Sequence, residues 1–153
     1  MTRARLQTIF YTIAALVALI GLADAAYLTV THLTGEDVLC GSGDCSVVLG
    51  SVYASVGRIP TAAFGALAYF AVFSSALLAA FGYTRARIFL TLVVAVMFGV
   101  TLWLLYVQAF ILHAFCPFCL LSAALTFFLA GIVVATPSTA LQVAAATEGE
   151  SSH

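Results

Sequence analysis

Four long apolar runs decide what this chain is able to fold into. They cover about residues 9–31, 62–82, 88–112 and 117–136, and each approaches the ~20 apolar residues that cross a ~30 Å hydrocarbon core. The rest of the composition agrees. Of 153 residues 64% are hydrophobic and 7% charged, with a mean hydropathy of +1.18, whereas a soluble domain of this size needs far more charge on its surface. The expectation is an all-α integral membrane protein, a four-transmembrane-helix bundle with an outer-face loop and a short interfacial helix. One membrane domain, residues 1–136, is followed by a polar tail, 137–153, with the composition of a disordered segment. A secretory signal peptide is the competing reading of the first run, with Arg3 and Arg5 ahead of it and Ala23-Asp24-Ala25 as a small-residue cleavage pattern. The run continues through Tyr27, Leu28 and Val30, which favours an uncleaved helix.

The only long polar segment lies between the first two runs, about residues 32–60. It carries Cys40 and Cys45 around glycines that predict a flexible loop. Beyond it Cys45, Val48, Leu49, Val52 and Val56 share one helical face, which predicts a short helix on the membrane surface. A second cysteine pair, Cys116-Pro117-Phe118-Cys119, opens the fourth run.

Arginine placement orients the chain. Four of the five arginines (Arg3, Arg5, Arg85 and Arg87) fall before the first run or between the second and third. Four crossings put those two regions on one side, and the positive-inside rule makes that side cytoplasmic. Both cysteine pairs then face the opposite, oxidising side, where disulfides persist. With a net charge of -1 and no lysine, nothing points to nucleic acid.

The cysteine spacing carries the chemistry. Pro117 suits the first position of a helix, which sets Cys116 at its N-cap and Cys119 in the first turn. Free backbone N–H groups and the helix dipole favour thiolate there, and residues three apart share a face. Cys40 and Cys45, in a flexible loop, are placed to exchange first with a soluble protein and then with Cys116, by thiolate attack through a mixed disulfide. Three other readings stand beside this one: buried cysteines acting as small apolar residues, a permanent loop staple, and a four-thiolate zinc site. His113, three residues before Cys116, is either a thiolate partner or an interfacial histidine. Asp24, late in the first run, either marks a polar cavity or is solvated at the interface. Trp103 and Tyr106 either line an aromatic pocket or face lipid.

Taken together, the four runs and the order of the cysteine pairs resemble the vitamin K epoxide reductase family, and its bacterial homologues in particular. The features that carry this are Tyr27-Leu28-Thr29 with His32-Leu33, Cys40, Cys45, Ser51, Ile59-Pro60 with Gly65, and Cys116-Pro117-Phe118-Cys119-Leu120-Leu121-Ser122. The resemblance implies a bundle around a quinone, menaquinone or ubiquinone, with Cys119 passing electrons to it. It implies that Cys116 exchanges with Cys45, and Cys40 with the partner. Ser51, Thr61 and Phe64 would fall at the quinone pocket; Tyr106 and Ala123 complete the candidate pocket residues. Many bacterial members carry a fused thioredoxin-like domain. This chain ends too soon for one, so a separate thioredoxin-fold periplasmic protein of DsbA type is expected as partner. Animal members have a tyrosine in helix four where this chain has Ala123 or a near neighbour, which separates epoxide reduction and anticoagulant sensitivity from what the resemblance implies. Arg58 stands where a small or apolar residue is expected.

The function expected is a quinone-dependent thiol oxidoreductase of a bacterial inner membrane, with both termini cytoplasmic and the cysteines outside, and with no metal. A DsbB-type oxidase places its C-x-x-C in the first outer loop, opposite to the order here. The competing classes are a soft-metal transporter using paired cysteines and a structural membrane subunit with two staples.

Overall fold

The computed structural model describes residues 2–36, 44–136 and 149. Cys40 and nearly all of the polar tail, both singled out above, lie outside the described residues. Within them the chain forms four helices long and apolar enough to cross a membrane. These are α1 (Arg3–Thr34), α3 (Thr61–Ala80), α4 (Thr84–Tyr106) and α5 (Pro117–Ala135). A short helix, α2 (Cys45–Leu49), and a two-stranded hairpin, β1 (Ser55–Val56) with β2 (Ile59–Pro60), sit between α1 and α3. The expected four-transmembrane-helix bundle is what the chain builds.

The main contacts run round the bundle, α1 packing on α3 and α5, and α4 on the same pair. Small residues set the close approach. Ala14, Ala15, Ala18, Ala25, Ala76 and Ala79 are all buried at the helix contacts. In lipid, where apolar side chains gain little by avoiding the solvent, helices associate by such close backbone packing. Large side chains such as Leu16, Leu67, Phe70, Leu92 and Phe128 point outward, as hydrocarbon permits and water would not.

Gly21 is the tightest point. A Cβ there would run into the ring of Tyr69, and that ring is held from the far side: its hydroxyl bonds to the Ser122 carbonyl (3.0 Å), the Ser122 hydroxyl (2.9 Å) and the Thr126 hydroxyl (3.2 Å). Tyr69 of α3 thus joins α1 to α5. Gly21→Ala is therefore expected to cost about 1–3 kcal/mol, the usual range for overpacking, seen as a lower thermal midpoint in detergent. Gly99→Ala, where nothing lies within 4 Å, is the control and should not destabilise.

The cap, made of α2 and the hairpin between α1 and α3, departs from the sequence expectation in one respect. Its helix stops at Leu49, so Val52 and Val56 do not continue the face of Cys45 and Val48. Val52 is 83% exposed and Val56 65%. Gly50 ends the helix by bonding back to Ser46 and Val48, and the chain turns into the hairpin instead. That hairpin also accounts for Arg58. Val56 pairs with Ile59, leaving Gly57 and Arg58 as a two-residue turn, with Gly57 at φ 67 as such turns require. Arg58 is exposed at the tip, where a charged residue is tolerated. The hairpin is tied to α3 by the Thr61 N–H on the Ala54 carbonyl (2.8 Å) and the Thr61 hydroxyl on the Tyr53 carbonyl (3.1 Å).

Candidate active site

α4 changes pitch before it ends. Val107–Leu112 winds as a π-helix, which closes at His113 in the left-handed region (φ 51). Such bulges cluster at functional sites because they re-aim side chains. Here Gln108 is turned inward and buried, and its Oε1 accepts the Cys116 N–H at 3.3 Å. The Gln108 carbonyl accepts the Ala114 N–H at 3.2 Å. One residue thus clamps both ends of the short link between α4 and α5. Gln108 is absent from the candidates above, although an amide inside an apolar run is a visible signal. His113, the alternative thiolate partner, is exposed.

Pro117 opens α5 and Cys116 is its N-cap residue, as the spacing predicts. The Cys116 sulfur is fully buried against α2, 3.2 Å from the sulfur of Cys45, itself buried. Cys45 is disulfide-bonded, while Cys116 and Cys119 are free thiols. A nucleophile and its target 3–3.5 Å apart form a near-attack arrangement, so the separation suits thiolate attack on a disulfide sulfur.

The Cys116 thiol is drawn down from its ordinary value of 9.0 to about 6. The main cause is a hydrogen bond from the Cys119 side chain, helped by the N–H groups of Cys119 and Phe118 at the start of α5; burial opposes it. The sign follows directly. Thiolate prevails above about pH 6 and is lost as pH falls through that value. In protein with Cys116 and Cys119 reduced, thiolate absorbance in the ultraviolet should therefore rise with a midpoint near pH 6; a midpoint near 9 would contradict the arrangement.

Beside the cysteines lies a cavity with about 930 Å³ of empty space, its open mouth included. Cys119, Ser51, Thr61 and Ala123 stand on its wall, with Asp24, Ser122 and Gln108. Two expected pocket residues do not. Phe64 is 47% exposed because Thr61, Ala62 and Gly65 form the inner face of α3, and at about 100° per residue Phe64 lies off that face. Tyr106 is 50% exposed, on the far side of α4 from Thr101, Leu104 and Leu105, which line the cavity. It stacks instead with Trp103 (6.0 Å) and Phe110 (5.1 Å) in an outward-facing aromatic ladder. Among the described residues no three of His, Cys, Asp and Glu converge as a metal set.

Comparison with protein families matches residues 12–134 to the vitamin K epoxide reductase family. The chain belongs to this family. Comparison with curated proteins returns no match. Membership makes the chain a membrane redox protein, of a family that in general couples disulfides to quinones. It also puts the paired cysteines in a chemical context, since a sulfur pair beside an apolar cavity is what such a coupling needs.

Proposed function

We propose that this protein oxidises the dithiol of a separate thioredoxin-fold partner and passes the electrons to a quinone, menaquinone or ubiquinone. The observation that carries the reading is the 3.2 Å approach of the Cys45 and Cys116 sulfurs, with Cys119 one helical turn on and facing the cavity. We read Cys40 as the other half of the Cys45 disulfide and as the sulfur that meets the partner. The partner's thiolate attacks Cys40, and the mixed disulfide is resolved by the partner's second thiol, leaving Cys40 and Cys45 reduced. Cys45 then attacks Cys116 of a Cys116–Cys119 disulfide and releases Cys119; Cys40 resolves the Cys45–Cys116 bond, which restores Cys40–Cys45 and leaves Cys116 and Cys119 reduced for the quinone.

The cavity supports a quinone by its apolar wall and its place beside Cys119, since pockets for such ligands are lined mostly by apolar side chains with a few placed polar groups. A bound quinone accepts two electrons and two protons. Leu28, Leu49, Leu104, Leu105 and Leu112 would flank its ring, and Cys119 would stand against it. The arginine bias supports an inner-membrane location with both termini cytoplasmic and the cysteines on the periplasmic side. Residues 1–136 form the working domain in this reading.

The test is stoichiometric. Purified protein in lipid, given a reduced thioredoxin-fold dithiol protein and a soluble quinone, should make one quinol for each disulfide formed. Disulfide formation without quinol, or no reaction at all, would overturn the proposal.

A further inference from the structure

Disulfide formation releases protons as well as electrons, and the cavity wall holds few groups able to handle them. A quinone oxygen only accepts hydrogen bonds, so reducing it requires a donor on the wall. Two evident candidates already have their protons committed. The Ser51 hydroxyl donates to the Val48 carbonyl at 2.7 Å and the Thr61 hydroxyl to that of Tyr53. The Ser122 hydroxyl is engaged with Tyr69. Asp24 differs. It lies on α1 with only 9% of its surface exposed, on the wall of the same cavity as Cys119, and its Oδ2 has no hydrogen-bond partner. Among the described residues the one other buried side-chain atom so left is Arg87 Nε, which is not on that wall. An orphaned carboxyl oxygen costs free energy wherever it is buried, and within membrane spans such acids commonly serve ion or proton paths.

We propose that Asp24 is the proton carrier between the cysteine pair and the quinone, a catalytic residue that touches the acceptor through Oδ2. The inference rests on the quinone-reducing reading above. The balance closes as follows. Joining the Cys116 thiolate to the Cys119 thiol breaks one S–H bond and makes one S–S bond, freeing two electrons and one proton, the Cys116 proton having already gone to solvent. Both electrons go to the quinone, which needs a proton on each oxygen. Asp24 gives its proton to one oxygen and regains one from the Cys119 thiol; the other oxygen takes its proton from solvent. The other titratable groups on the wall are His32 of α1, Tyr53 of the cap and Cys119 of α5; α3 and α4 contribute none. His32 stands two helical turns beyond Asp24 on the same helix, exposed toward the cap end, where it links the wall to water.

The test compares wild type with Asp24→Asn and Asp24→Glu in lipid. General acid catalysis is worth 10²–10⁴-fold, so D24N should slow quinone reduction at least about 100-fold. Exchange of the cysteines with a small dithiol should stay within about twofold of wild type, and D24E should recover most of the lost rate. In quinone-free protein, the infrared difference between the oxidised and reduced cysteine pair should contain a carboxyl band that D24N removes. Quinone reduction by D24N within twofold of wild type would overturn the inference and leave the proposed function standing. So would a carboxyl band unchanged in D24N, or equal losses in dithiol exchange and quinone reduction, which would mark Asp24 as structural. Wild type that reduces no quinone would remove both.

Discussion

Cys119→Ser is expected to lower quinone reduction by roughly three orders of magnitude or more, as removal of a nucleophile does elsewhere. The same variant should still react with a dithiol. The two outcomes separate because the two sulfurs of the pair face different ways. Cys116 is buried against Cys45 beneath the cap, whereas Cys119 is on the cavity wall. Serine keeps the size and a hydrogen-bond donor beside Cys116 but cannot form or break an S–S bond. A bond between Cys45 and Cys116, formed when Cys116 attacks the Cys45 disulfide, then lacks Cys119 to displace Cys45 and should accumulate. Cys116→Ser should behave differently: it breaks the link at the cap, so no such bond forms, and the protein should stay in whatever state the partner leaves it.

The second large effect is expected from filling the cavity. Ala123 is nearly buried and lies on the wall one turn beyond Cys119, next to Ser122. Ala123→Phe would put a ring into the space assigned to the acceptor. Quinone affinity should fall about 100-fold, equivalent to ~2.7 kcal/mol, measured by equilibrium binding in lipid nanodiscs. Cysteine exchange with a dithiol should be retained, because Cys45 and Cys116 meet outside that space. Ala123→Ser, which adds little volume, should bind the quinone within a few-fold of wild type. Unchanged affinity in Ala123→Phe would place the acceptor elsewhere.

The broad architecture was legible because hydrocarbon imposes a simple pattern. Apolar length sufficed to indicate four spanning helices, and Pro117 marked the start of the last one with Cys116 at its cap. What the sequence hid is rotational. Phe64 and Thr61 are three residues apart, yet only Thr61 reaches the cavity. In a membrane helix the outward face is as apolar as the inward one, so hydrophobic periodicity does not tell them apart. The same uniformity hid the outward turn of Tyr106 and Trp103. The π-helix at Val107–Leu112 re-aims the side chains at the end of the third span, and apart from Gln108 the residues of that stretch are as apolar as the rest of the run. Asp24 was visible as a lone acid in an apolar run, but whether it met solvent or a cavity depended on α3 and α5 closing round it. The cap helix was read too long because valines suit a surface strand as well as an amphipathic helix. Gly57, with its positive φ, is the residue that decides for the hairpin.

The account as a whole rests on sulfur handing a bond across the gap between the cap and the start of α5. That is tested most directly by peptide mass spectrometry of Cys119→Ser, digested without reduction after exposure to a reduced thioredoxin-fold protein and an oxidant. The account predicts a dominant peptide pair joining Cys45 to Cys116. Finding Cys116 unlinked, or joined to the partner while Cys45 remains bonded within the cap, would contradict it.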